Sequence, residues 1–220
     1  MLEVLYEDNH LIAINKKSGD IIQGDKTGDP PLSDFVKAYI KNKYNKPGKV
    51  FLGTIHRIDR PTSGIVLFAK TSKALSRMNE LFKNKKVKKT YWAIVDNAPA
   101  NNAGTLDDFL QKNEKKNKSY ITKEERGKRA ILEYKLIKKL DRYYHLEIKP
   151  KTGRHHQIRV QLANIGCFIK GDLKYGAKRS NKDASIHLLA QKIDFTHPVS
   201  KLDISIIAPA PKDNVWNVCI

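Results

Sequence analysis

The sequence has almost no cysteine, no long apolar run and few acidic side chains for its basic ones, and each lack narrows what it can be. Cys167 and Cys219 are the only cysteines, too few for a disulfide framework or a four-ligand zinc site. No stretch approaches the roughly 18 consecutive apolar residues of a membrane span, and Met1 to His10 reads as a strand with mixed charge. The expectation is a cytoplasmic protein with no membrane or signal segment. Heptads, solenoid-period repeats and low-complexity linkers are missing. So are the G-x-G-x-x-G and Walker loops, the G-x-S-x-G elbow and H-E-x-x-H, which leaves nucleotide-cofactor, serine-hydrolase and zinc-protease readings without support.

What is there is basic charge. Lys and Arg number 42 against 23 Asp and Glu, a formal net charge of +19 with a pI near 9.8. That exceeds what solubility requires and implies a polyanionic partner. Lysine-rich surfaces also follow from coding bias, so composition suggests RNA or DNA without choosing. The charge gathers at Lys83 to Lys89, Lys112 to Lys118 and Lys123 to Arg129. These runs read as solvated loops that also suit phosphates, and 111–118 is the best candidate for a mobile insertion.

At 220 residues and 40% hydrophobic, the chain is long enough for one sizeable core, or for one core divided by a cleft into two lobes. A single catalytic domain spanning 1–220 is the expectation. Val4 to Tyr6 and Leu11 to Asn15 read as a hairpin split by Glu7-Asp8-Asn9-His10. Leu32, Phe35, Val36, Tyr39 and Ile40 recur at the spacing of one buried helix face, ended by Pro47-Gly48. A second helix runs from Ser72 to about Lys83, capped by Thr71 or Ser72, with Leu75, Met78, Leu81 and Phe82 on its stripe. Ile65 to Ala69, Lys89 to Val95, Arg129 to Ile137, Tyr143 to Lys149, Leu188 to Phe195 and Leu202 to Ile207 read as strands. Turns rather than helices separate several of them, so the class is α+β with a largely antiparallel sheet.

Three segments bear chemistry. In Thr54 to Gly64, the residues His56, Arg57, Asp59 and Arg60 are held between apolar Phe51-Leu52 and Ile65-Val66-Leu67-Phe68. Period-two alternation sends Arg57 and Asp59 to one side and His56 and Ile58 to the other. A guanidinium beside Asp59 favours its charged form, which suits a nucleophile or base; a structural Asp–Arg pair closing a turn fits the same residues equally well. In Lys151 to Gly166 a glycine turn leads into a helix ended by Gly166, with Arg159 near its start one turn from His155. Its paired histidines suit phosphate, but no third ligand stands at zinc spacing. In Lys88 to Val95, Tyr91 and Trp92 point to opposite faces of a strand, so one can be buried while the other stacks on a base.

Taken in order, these segments resemble the RluA family of pseudouridine synthases over nearly the whole chain. His56-Arg57-Ile58-Asp59 with Thr62-Ser63-Gly64 is similar to the family's H-R-L-D-x-x-T-S-G, which places its one indispensable carboxylate at Asp59. Lys89-Thr90-Tyr91 resembles K-x-Y, and Gly153-Arg154-His155-His156-Gln157-Ile158-Arg159 resembles G-R-x-H-Q-I-R. Gly171-Asp172 with Tyr175-Gly176 is similar to G-D-x-x-Y-G, and Asn15-Lys16 with Gly19 to N-K-P-x-G. Lys17 replaces the usual Pro, and Leu189 stands where the family often has His. The resemblance is to a catalytic domain alone, with no S4-like RNA-binding segment before Val4.

The resemblance implies isomerisation of uridine to pseudouridine in a structured rRNA or tRNA, with no metal and no other cofactor. Asp59, Arg159 and Tyr91 are implied as catalytic: Arg159 pairs with Asp59 and Tyr91 stacks on the uracil. Arg57 is implied to fill the gap left by the flipped base, with His56, Arg60, Arg154 and Leu188 as further substrate contacts. A monomer with no membrane and no obligate protein partner completes the expectation. A glycoside or nucleoside hydrolase would need a second carboxylate facing the first, and no such pair is evident. A non-catalytic RNA-binding or RNA-chaperone protein on the same fold fits the charge equally well.

Overall fold

The computed structural model describes residues 2–24 and 28–219. In chain order the elements are β1 (Val4–Glu7), β2 (Leu11–Lys16), α1 (Leu32–Lys43), β3 (Gly53–Thr54), β4 (Ser63–Ala69), α2 (Ser72–Lys83) and β5 (Lys88–Val95). There follow β6 (Ala103–Asn113), β7 (Lys118–Thr122), β8 (Lys128–Lys139), β9 (Tyr144–Pro150), α3 (Gln157–Asn164), β10 (Leu188–Thr196) and β11 (Asp203–Ile207). Short 3₁₀ turns occupy Glu124–Arg126 and Leu173–Tyr175. The registered strand pairs are antiparallel, and the α+β class expected from the sequence stands. Among the described residues no helix is long and apolar enough to cross a membrane.

The chain divides into two compact units, residues 1–88 with 190–209 and residues 89–189 with 210–220. In the first, the strands run in the order β1-β2-β4-β10-β11, and β3 also pairs with β4. Seven consecutive residues of β4 are buried, so it reads as an unbroken apolar run rather than an alternation. Ile12, Ile14, Val66 and Phe68 pack against Leu32, Val36 and Ile40 of α1. Each such side chain contributes about 1.5–3 kcal/mol on burial. Phe35, expected on the buried stripe, is 55% exposed, because Leu32, Val36 and Ile40 already fill the face that meets the sheet. For α2 the expected bounds hold, and Thr71 caps it by accepting the Ala74 N–H.

Glu7, at the end of β1, ties this unit together. Its carboxylate accepts hydrogen bonds from Lys43 (2.6 Å), Lys70 (2.8 Å), Tyr44 (2.8 Å) and Tyr39 (3.0 Å). Burial alone would raise this carboxyl, but the four donors outweigh it and hold it down at about 2.

In the second unit the order is β5-β9-β8-β6-β7. Ala93, Val95, Leu132, Leu146 and Ile148 pack against Ile158 and Leu162 of α3. That helix ends as expected at Gly166: with φ +75°, its N–H donates to Ala163 O and the Cys167 N–H to Leu162 O, the paired bonds of a Schellman motif. The stretch expected to be a mobile insertion is instead the end of a hairpin. β6 pairs with β7 from Phe109↔Thr122 to Asn113↔Lys118 and with β8 from Ala103↔Lys135 to Leu110↔Lys128. Within Gln111–Asn117 every residue is exposed, so no apolar alternation marked these strands.

Candidate active site

In the first unit, the segment from Ile55 to Asp59 joins β3 to β4 outside the ladder pairs. His56 turns inward, its Nε2 accepting the Leu67 N–H at 3.1 Å and its ring stacked on Phe82 of α2 at 5.3 Å. An accepting Nε2 places the proton on Nδ1 and leaves the imidazole neutral. Ile58 packs against the core beside α1. Arg57 is exposed, while Asp59 is half-buried like His56 and Ile58, in a stretch that is not a strand. Arg57 forms no ion pair among the described residues, so it does not close the turn as a structural Asp–Arg pair would.

The turn is closed by Lys16. This side chain at the end of β2 is 1% exposed, and its ammonium donates to Arg60 O (3.0 Å) and Lys17 O (2.7 Å). Gly19 N–H also donates to Arg60 O (2.9 Å), Ser18 Oγ to Pro61 O (3.0 Å) and Thr62 N–H to Asp59 O (3.0 Å). The Asn15-Lys16 segment is thus bonded carbonyl by carbonyl to the turn bearing Asp59. Burial lowers the Lys16 ammonium to about 8, while the negative charges of Asp20 and Asp59 oppose the fall. Gly64 completes the turn at φ +109°, where a Cβ would meet Ala190 O at 2.3 Å, so only glycine fits.

In the second unit, Tyr91 and Trp92 take opposite faces of β5 as expected. Tyr91 packs on the cluster that includes Ala93, Leu146 and Ile158, while Trp92 sits edge-on to His145 at 4.9 Å. Lys89, on the Tyr91 face, is pushed below the usual lysine range by burial. Arg159 is 4% exposed near the start of α3. Its Nε donates to Asp172 Oδ2 (2.7 Å) and its Nη2 to Asp172 Oδ1 (2.8 Å), while Cζ lies 5.0 Å from the Tyr175 ring. The Tyr175 hydroxyl meets His156 Nδ1 at 2.9 Å. His156 is driven down to about 2 by its burial and by the positive charge of Arg159, so it stays neutral beside the guanidinium. Gln157 sets the entry to α3: its Oε1 accepts from Arg154 N–H (3.0 Å) and Thr152 Oγ1 (2.7 Å), and its Nε2 donates to Ile131 O (3.0 Å).

The remaining candidates take local roles. Arg60 forms an exposed ion pair with Asp29 at 2.7 Å, and Arg154 Nε donates to Arg129 O. Leu188 is 3% exposed inside the α3 cluster, a packing position that gives no support to the substrate contact expected of it. The partners that sequence reasoning missed are Lys16, Asp172 and Tyr175. All three stood inside recognised motifs but received no role, because nothing in a linear pattern says which buried charge a side chain will meet.

The RNA pseudouridylate synthase domain family matches residues 10–164. A ribosomal large subunit pseudouridine synthase D of Borreliella burgdorferi is 33% identical over 179 residues, covering 80% of this chain and 55% of that protein. A synthase C of the same description from Buchnera aphidicola is 34% identical over 214 residues, covering 94% and 66%. The chain thus spans between about half and two thirds of the length of these relatives. A tRNA pseudouridine synthase C of Vibrio vulnificus is 32% identical over 235 residues, 98% of this chain and 93% of that one. Among solved structures, human RNA pseudouridylate synthase domain containing 4 superposes with a TM-score of 0.82 at 22% identity, over 99% of this chain and 92% of that one, a likeness of fold.

Proposed function

We propose that this chain, which belongs to the RNA pseudouridylate synthase family, isomerises uridine to pseudouridine in a structured rRNA or tRNA with Asp59 as its essential carboxylate. The observation that carries the reading is the coincidence of the family match with a half-buried carboxylate on a turn bonded from behind by the Lys16 ammonium. A turn held this firmly fixes the carboxylate before substrate arrives.

In the reaction the N1–C1′ bond breaks, the uracil rotates, C5 bonds to C1′, the C5 proton leaves to solvent and N1 takes up a proton in its place. Ionised Asp59 acts either as nucleophile on the sugar or as base at the 2′ position, and both roles need the same charge. Arg159 maintains that charge and Tyr91 stacks on the base. The exposed Arg57 occupies the space left by the flipped nucleotide, whose unstacking costs a few kcal/mol. Phosphate contacts from exposed cations such as Arg60 and Arg154 offset that cost, so activity weakens as salt rises. The enzyme works as a cytoplasmic monomer.

The test is tritium release from RNA labelled at uracil C5. The wild type should release tritium, and Asp59→Ala and Asp59→Asn should release none while still binding RNA. Active variants would overturn the assignment of Asp59; an inactive wild type that binds RNA would leave a binding protein on the same fold.

A further inference from the structure

The turn from Gly171 to Gly176 has no role in the proposed reaction, yet its form is closely determined. Gly171 takes φ +89°, and a Cβ there would meet Ser185 O at 2.6 Å and the Asn181 side-chain amide at 2.7 Å. Gly176 takes φ +109°, and a Cβ there would meet the Phe168 ring at 2.7 Å. Between the two glycines runs the 3₁₀ turn Leu173–Tyr175, with Asp172 just before it. The Asp172 N–H donates to Ile169 O at 3.0 Å, and Asp172 O accepts from the N–H groups of Tyr175 (3.0 Å) and Ala177 (3.1 Å). Side chains three residues apart eclipse in a 3₁₀ turn, so Asp172 and Tyr175 project to the same side.

Both meet Arg159. Asp172 takes the guanidinium edge formed by Nε and Nη2, at 2.7 and 2.8 Å, and Cζ lies over the Tyr175 ring at 5.0 Å. Tyr175 is itself fixed at its hydroxyl, which accepts the Ser119 N–H at 2.8 Å and meets His156 Nδ1 at 2.9 Å. Ser119, 1% exposed, completes the clamp by donating from Oγ to His155 O at 2.7 Å. A guanidinium is a planar fork. With one edge held by a carboxylate and one face by a ring, a second anion can be met only through Nη1 and the outer hydrogen of Nη2. The direction in which Arg159 offers its charge is thereby set. Stability alone does not call for this arrangement, since packed apolar side chains of similar volume commonly match or better a buried ion pair.

We propose that Asp172 and Tyr175 are positioning residues of the isomerisation, holding Arg159 by one edge and one face so that its Nη1 end is presented to the reacting carboxylate in a single orientation. The inference rests on the reading in which Arg159 maintains the charge of Asp59. Asp172 is 2% and Tyr175 6% exposed, so both act through the guanidinium rather than on the uridine. An arginine side chain has several rotatable bonds, and a charged group displaced by about 1 Å from its productive place costs on the order of a hundredfold in rate. Fixing the side chain before substrate arrives removes that loss from the reaction step.

The experiment measures kcat and KM for tritium release from total rRNA and tRNA labelled at uracil C5, at a temperature where circular dichroism shows each variant folded. Asp172→Asn should lose roughly tenfold or more in kcat while KM stays within about twofold of the wild type, the pattern of an interaction that counts in the transition state. Tyr175→Leu should lose kcat in the same way. Tyr175→Phe keeps the ring over the guanidinium and should stay near the wild-type kcat; this pair of variants carries the test if Asp172→Asn does not fold. Three outcomes overturn the positioning role: wild-type kcat in folded Asp172→Asn or Tyr175→Leu, a raised KM with kcat unchanged, or an equal loss of kcat in Tyr175→Phe and Tyr175→Leu. With an active wild type, any of these strikes the positioning role alone. A wild type that releases no tritium overturns the enzymatic reading and the positioning role with it.

Discussion

Arg159 and Asp172 form a two-point ion pair in which both side chains are all but inaccessible to water, at 4% and 2% exposure. Charges so buried are stable only together, since each was stripped of hydration to form the pair. Asp172→Asn keeps the shape but removes the two-point carboxylate from a buried guanidinium, and it should cost about 3–5 kcal/mol of stability. Urea unfolding read by circular dichroism measures this; a loss under about 1 kcal/mol would mean that water or another group already compensates Arg159.

Lys16 makes a prediction about alkaline pH. Its folded-state value of about 8 lies below the ordinary 10.5, so between these values the unfolded chain binds more protons and stability rises with pH. Activity should move the other way. As pH passes through about 8 the ammonium behind the Asp59 turn discharges and the wild-type rate falls, whereas Lys16→Met should be slower at neutral pH and flat through that range. A variant that kept the wild-type profile would detach Lys16 from the chemistry.

His145 carries a prediction about acid. Buried between Trp92 and Trp216, with both ring nitrogens lacking a hydrogen-bond partner among the described residues, it is lowered by burial from 6.5 to about 4. The unfolded chain therefore binds the extra proton as pH falls from about 6.5 to 4, and stability drains away across that window. His145→Phe removes the titration and two unsatisfied nitrogens. Its melting temperature should vary less with pH over this window than that of the wild type; equal slopes would count against the assignment.

At Gly64 the prediction is steric. Gly64→Ala places a Cβ in a left-handed backbone and against the Ala190 carbonyl, and should destabilise by about 2–4 kcal/mol through strain of both kinds. Gly19, also at positive φ but with no atom within 4 Å of where a methyl group would stand, serves as the comparison and should cost less on the same substitution. A thermal melt of the two variants side by side decides it.

The parts of this fold legible from sequence are those where a single cause acts locally. Thr71 before a 3.6-residue apolar stripe marks α2, Gly166 marks the end of α3, and the unbroken run from Ile65 to Ala69 marks a strand buried on both faces. β6 and β7 were illegible because pairing with β8 and the clamp at Ser119 hold them, not an apolar face. The site divides the same way. The charged run from His56 to Arg60 stood out by its setting between apolar runs, but the buried Lys16 and Asp172 owe their roles to partners many residues away, and a motif names such residues without saying what they touch.

The carboxylate of Glu7 and the imidazole of His145 belong to different units and respond to acid in different ranges. The Glu7 clasp, held at about 2, weakens only as pH falls below about 4.5, whereas proton uptake by the unfolded chain at His145 lowers stability from about 6.5 downward. Acidification should therefore produce a staggered melt, in which the half of the chain carrying Arg159 softens while the half carrying Asp59 keeps its shape.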